Sequence, residues 1–301
     1  MKYGNLFSVV VPYFLRFEYL KGLVESVHRH ADMPFEIIVH DDSGRELKSL
    51  ELRDKVSTVA LNFGKNLGLA AAANRAVALA NGKYVLFMNQ DCQLIRPCLR
   101  EYSRVLDKPY VGILSPYGDP YPLYSPEWIE VDGTRFTLNN GISSGATMAF
   151  RKDFWEEIGG FEEEIISGCA DTPVLYKMYR HGYFRAVVLG EKRIRNVSAE
   201  DVGNRDTTIG PYGDCGYPRV FKVSEEEYRR LSLERAVYCQ RNQDSHQHEP
   251  AGISNLHYWH AYSEELLPRS GVVSSINWEA ARKHGQARWR TLIEGEKVNR
   301  G

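Results

Sequence analysis

Asn81-Gly82-Lys83-Tyr84-Val85-Leu86-Phe87-Met88-Asn89-Gln90-Asp91-Cys92-Gln93-Leu94-Ile95-Arg96-Pro97-Cys98 is the stretch that decides the fold class. Gly82 marks a turn, Tyr84 to Met88 is an unbroken apolar run of strand length, and the run stops at polar Asn89-Gln90-Asp91. Pro97 then stands where a new helix begins. In an open α/β sheet, ligands bind beyond the carboxyl ends of the strands, so a carboxylate at Asp91 is placed to act on one. A turn role for Asp91 is the alternative at this point, because Asp also favours turns.

The same rhythm extends in both directions. Upstream, Phe7 to Pro12 reads as a buried strand, followed by Leu20, Leu23, Val24 and Val27 at helical spacing. Phe35 to Val39 is a second strand, ending at His40-Asp41-Asp42-Ser43-Gly44, and Val56 to Leu61 a third. Leu69 to Ala80 is an Ala-rich helix stopped by Asn81-Gly82. Downstream, Leu99, Tyr102, Val105 and Leu106 share a helical face, and Val111 to Leu114 is strand-like. Strands alternating with helices predict an α/β fold, a mostly parallel sheet flanked by helices. Residues 115–142, rich in Pro, Tyr and Gly, read as a long loop or small excursion. Ala146 to Phe150 is again strand-like, Phe154 to Ile158 a short helix broken by Gly159-Gly160, Thr172 to His181 a helix and Phe184 to Leu189 a strand.

Bulk properties exclude several classes. At 301 residues, 43% hydrophobic and 26% charged, the chain buries a core and is not disordered overall. A net charge of −1 gives no overall case for nucleic acid. The scattered cysteines, Cys92, Cys98, Cys169, Cys215 and Cys239, form neither a zinc pattern nor a disulfide framework and fit a reducing compartment. With no signal-peptide pattern and no apolar run of membrane-spanning length, the expectation is a cytoplasmic protein without a transmembrane segment.

Four features follow one another in order: Val9-Val10-Val11-Pro12; Val39-His40-Asp41-Asp42-Ser43; Asn66-Leu67-Gly68 with Asn74-Arg75 ahead of Asn89-Gln90-Asp91; and Ser144-Gly145-Ala146 through Gly159-Gly160-Phe161 to Ala170-Asp171. In this ordered set residues 6–190 resemble the inverting family-two glycosyltransferases of the GT-A (Rossmann-like) fold. The resemblance implies a nucleotide-sugar donor, a nucleoside diphosphate (UDP or dTDP) carrying a hexose-like sugar, and a hydroxyl-bearing acceptor. It places Asp42, with Asp41 as the close alternative, on the nucleobase. Pro12, Asn66, Gly68, Asn74, Asn89 and Asp91 then fall along the donor, and Ser144 and Gly145 form a small-residue segment beneath its sugar.

The family's Asp-x-Asp motif, which holds a divalent cation on the diphosphate, is degenerate here: Asn89 replaces the first acid and Asp91 keeps the last. Mn²⁺ or Mg²⁺ takes oxygen ligands, and the loss of one carboxylate weakens such a site. The alternative is charge compensation by Lys65, Arg75, Lys192, Arg193 or Arg195. The resemblance also makes Asp171 the general base that deprotonates the acceptor, although Ala170 replaces the acid before it. An Asp at a helix start also serves as an N-cap.

A GT-A domain over residues 1–205 and a C-terminal extension over 206–301 are expected. His257 or His260 in the extension could complete the metal site. The basic, aromatic stretch from Trp278 to Ile293 reads as a packed helix, and the extension as a source of acceptor contacts or a homo-oligomer interface. The rival reading is a catalytically inactive nucleotide-sugar-binding or scaffold protein, which the two lost acids would suit. A nucleotidylyltransferase is disfavoured because Pro12-Tyr13-Phe14-Leu15-Arg16 lacks the glycines of its leading loop.

Overall fold

The computed structural model describes residues 4–43, 48–63, 67–115, 127–139, 146–163, 171–197, 277–283 and 293–300. Its first half is the predicted alternation: β1 (Gly4–Tyr13), α1 (Phe17–His30), β2 (Phe35–Asp41), β3 (Thr58–Leu61), α2 (Leu69–Ala78) and β4 (Gly82–Met88). A short 3₁₀ turn, Lys48–Leu52, precedes β3. Next come β5 (Cys92–Leu94), α3 (Leu99–Leu106), β6 (Val111–Ser115), β7 (Glu127–Val131) and β8 (Thr134–Asn139). The remaining elements are β9 (Thr147–Arg151), α4 (Lys152–Ile158), α5 (Asp171–Arg180), β10 (Phe184–Val188), β11 (Ile194–Asn196), α6 (Trp278–Lys283) and β12 (Val298–Arg300).

Ten strands form one sheet in the order β12-β7-β8-β10-β6-β9-β4-β1-β2-β3, and β11 and β5 form a two-stranded ribbon. The register is fixed by apolar runs: Val9 to Val11 pair with Ile37 to Val39 on one side, and Val9 and Val10 with Leu86 and Phe87 on the other. These side chains are fully or almost fully buried, as parallel strands covered on both faces require. Seven strands, β1, β2, β3, β4, β6, β7 and β10, run in one direction, and β8, β9 and β12 run against them. The mostly parallel α/β architecture is as the sequence predicts.

Among the described residues, strand β9 alone links the two halves of the large sheet: it pairs antiparallel with β4 on one side and β6 on the other. Its last residue and the residue after it secure the helices. The buried Arg151 donates to the carbonyls of Leu106 and Lys108 (3.3 Å) at the end of α3 and of Val111 (3.1 Å) at the start of β6, and the buried Lys152 to those of Ala78 (3.4 Å) and Ala80 at the end of α2. Cations at helix C-termini satisfy terminal carbonyls and oppose the helix dipole.

One expectation is refined. The stretch 115–142 is not simply a loop, because residues 127–139 form the β7–β8 hairpin. Trp128 to Val131 and Thr134 to Leu138 straddle Asp132-Gly133, and both turn residues have positive φ (45° and 78°), as a two-residue type I′ turn requires. Within the expected extension 206–301, β12 pairs with β7 at the sheet edge. Ile293 is fully buried, and Glu296 accepts hydrogen bonds from Lys108 (2.6 Å) and Tyr110 (2.9 Å). Residues 206–276 lie outside the described residues.

Candidate active site

All strands of the β3-β2-β1-β4 block end on one edge. The chain leaves β1 for β2 on one side and later crosses to β4 on the other, which makes the gap between the ends of β1 and β4 a topological switch point. Pro12, Asp41 and Asn89-Gln90-Asp91 end or follow these three strands there.

At the end of β2, the two acids have different partners. The Asp41 carboxylate accepts from Ser43 N–H (2.8 Å), Ser43 O–H (2.6 Å) and the Ser49 hydroxyl, so it ties its own turn together. Asp42 accepts from the Asn62 side-chain amide (2.6 Å) and from Leu67 N–H (2.8 Å), holding the connection between β3 and α2. Burial pushes the Asp42 carboxyl above its ordinary range, against those two hydrogen bonds and the charges of His40 and Arg75. His40 Nδ1 lies 3.7 Å from Asp42, and burial lowers the imidazole pKa. The sequence reading did not single out Asn62, and it named Leu67 only as the middle of Asn66-Leu67-Gly68. Their one signal was position, at either end of the short connection that follows β3.

Gly68, at the N-cap of α2, has φ 86°, a conformation that side chains disfavour. Asn74, expected along the donor, uses its amide on a different element. It accepts from Phe161 N–H (3.0 Å) and donates to Phe161 C=O (2.9 Å) and Glu163 (3.1 Å). Gly160 makes room for this clamp, since a Cβ there would lie 2.6 Å from Asn74 Oδ1.

At the end of β4, Asn89 N–H donates to Ala146 C=O (2.8 Å), while its side-chain Oδ1 is buried and accepts no hydrogen bond among the described residues. Gln90 reaches the turn after β1: its Oε1 accepts from Phe14 N–H (2.8 Å), and its Nε2 donates to Phe14 C=O (3.2 Å) and Leu15 C=O (3.0 Å). Asp91 is half-buried, and its backbone carbonyl accepts from Val197 N–H (2.8 Å), joining it to the β5–β11 ribbon. The neighbouring Cys92 thiol is pushed far up by burial and by Asp91, so it stays protonated.

Of the alternative cations, Arg193 is committed to Glu101 (2.5 and 2.7 Å) and Arg195 bonds to Gln93 (2.7 Å). Arg75 and Lys192 are exposed, and Lys192 acts electrostatically on Cys92, next to Asp91. Phe154 and Trp155 are core residues, with Trp155 stacked on Phe150 at 4.2 Å.

Asp171 opens α5, whose far end leads through Tyr183 into the start of β10. Because β10 runs parallel to β6, α5 starts on the carboxyl edge, the same edge as Asp91. Asn66, Ser144, Gly145, His257, His260 and Lys65 lie outside the described residues. No three His, Cys, Asp or Glu side chains converge as a metal site among the described residues. A hard cation can nevertheless take most of its ligands from a diphosphate, and the donors at hand (one carboxylate at Asp91 and the unpaired amide oxygen of Asn89) are of the oxygen type it requires.

The family model for glycosyl transferase family 2 matches residues 8–158, half of the chain. An uncharacterized glycosyltransferase of Haemophilus influenzae is 24% identical over 195 residues, covering 62% of this chain and 66% of its own length. Another, of Rickettsia prowazekii, is 23% identical over 251 residues, covering 75% and 74%. The chain thus spans just under two thirds of the Haemophilus relative. Among solved structures, S. aureus TarS 1-349 in complex with UDP-GlcNAc superposes with a TM-score of 0.52 at 16% identity, covering 96% of this chain and 90% of that one. The mannosyltransferase PcManGT from Pyrobaculum calidifontis, in complex with GDP-Man and Mn²⁺, gives 0.53 at 16%, covering 96% and 84%. At such identities these two structures speak to the fold alone.

Proposed function

The chain belongs to glycosyl transferase family 2, and from that membership we propose an inverting transfer of a sugar from a UDP or dTDP donor to a hydroxyl acceptor. The observation that carries this reading is the gathering of Asp42, Asn89 and Asp91 at one switch point, with Asp171 opening a helix on the same sheet edge.

In this proposal Asp42 faces the nucleobase, because a carboxylate accepts the ring N–H that uracil and thymine offer. Pro12, Gly68 and Asn66 line the donor, with Ser144 and Gly145 beneath the sugar. Asn74 takes a supporting place in this reading, its amide bracing the turn at Phe161. Asp91 and Asn89 would hold a divalent cation, which supplies charge neutralisation to the departing diphosphate when bound. His257 or His260 would add a ligand. Asp171 removes the acceptor proton as the hydroxyl attacks on the face opposite the leaving group.

The test is binding and hydrolysis across a panel of nucleotide sugars, with Mn²⁺ and with EDTA, for the wild type and Asp91→Ala. Binding restricted to UDP or dTDP sugars, with turnover lost in Asp91→Ala, is the expected result. No binding of any nucleotide sugar overturns the proposal. Binding without turnover in a full acceptor screen would favour the inactive, scaffold reading, which the replacements at Asn89 and Ala170 motivate.

A further inference from the structure

We infer that Gln90, the middle residue of Asn89-Gln90-Asp91, is a positioning residue that fixes the turn after β1 against the strand end carrying Asp91 and thereby sets affinity for the donor's phosphates. The inference rests on the donor site proposed above.

Strands β1 and β4 pair through Val10 and Phe87 and then part. Beyond that point the Gln90 side chain takes over the pairing, with one bond accepted from Phe14 N–H and two donated to the carbonyls of Phe14 and Leu15. An amide is the one side-chain group that can both accept and donate in this way. The turn it holds is unusual: Leu15 and Arg16 both have φ 55°, in the left-handed region that non-glycine residues seldom occupy. A backbone in that conformation persists only where its surroundings hold it.

This turn delivers the start of α1. Arg16 is the N-cap of that 14-residue helix and provides no side-chain cap. Helix N-termini favour anions, and this one opens on the sheet edge that carries Asp91. Loss of the Gln90 bonds would free the turn and the helix start together, while leaving Asp91 and Asp171 in place.

Two measurements test the assignment on Gln90→Ala and Gln90→Glu, well below their melting temperatures. Glutamate keeps the length and one accepting oxygen but loses both donated bonds. In hydrogen exchange, the Phe14 amide of both variants should exchange at least about tenfold faster than in the wild type, with β2 and β9 amides unchanged. UDP titration should show Kd raised about tenfold or more, and turnover at saturating donor should stay within about threefold. Unchanged Phe14 exchange, or faster exchange with an unchanged UDP Kd, overturns the inference. A purely structural role would lower Tm and leave Kd alone. If the wild type itself binds no UDP, the donor assignment falls, and the phosphate-affinity part of the inference is overturned with it; the exchange arm then reports separately on the clamp.

Discussion

Asp171 stands at the first position of α5, where an aspartate both suits a helix start and, on the proposed reading, takes a proton from the acceptor. The two roles separate on mutation. Asp171→Asn keeps a cap-competent side chain but removes the base, so turnover should fall about 10²–10⁴-fold with UDP Kd unchanged, measured by steady-state rates and calorimetry. An equal loss of both would mean that the residue only shapes the site. The positions of Asp42 and Asp91 at strand ends were legible because polar residues stopping apolar runs mark those ends, and that of Asp171 because it stands just before the helix read from Thr172 to His181. The partners of Gln90 and Asn74 were not. Each amide bonds to backbone far away in sequence (Phe14 and Leu15, or Phe161), and no local pattern distinguishes such a clamp from a solvated polar residue.

Elements are held at their ends as much as along their lengths. The Asn74 clamp and Gly160 join α2 to the turn after α4, and Asn74→Ala should cost about 1–3 kcal/mol in chemical denaturation, leaving Phe161 N–H without its partner. Glu36 on β2 binds the Ser8 hydroxyl (2.5 Å) on β1 and the Asn81 N–H (2.6 Å) just ahead of β4. Burial acts to raise its pKa, but these hydrogen bonds prevail and hold it below the ordinary 4.5. A depressed carboxyl stabilises the fold above its unfolded value and loses that contribution as pH falls through the lower, folded one. Glu36→Gln should therefore lower Tm at pH 7 and lose less stability than the wild type on acidification below about 4.5. The β7–β8 hairpin shows why element reading failed locally. Its Asp132-Gly133 turn and the alternation on either side are visible in the sequence, but they sit in a Pro-, Tyr- and Gly-rich stretch whose composition argues for loop.

At the scale of the whole molecule, the parallel half of the sheet could be read from its apolar runs, whereas the return of the chain to its edge could not. Strand β12 has only three residues and no apolar run, and its place depends on Ile293 and on Glu296 meeting Lys108 and Tyr110. Ile293→Ala should cost about 2–5 kcal/mol in stability, read from denaturant midpoints. Removing residues 293–301 should bare the edge of β7 and promote self-association, seen by light scattering. The singular position of β9 bears on how the chain is made. Strand β4 is complete at Met88, but the strand that covers its open side starts only at Thr147. At about 5–20 residues per second, a ribosome needs several seconds to make what lies between. Throughout that interval the nascent parallel half carries an apolar strand with an unfilled edge, and synthesis speed over residues 89–146 becomes a determinant of yield that no measurement on the finished protein would reveal.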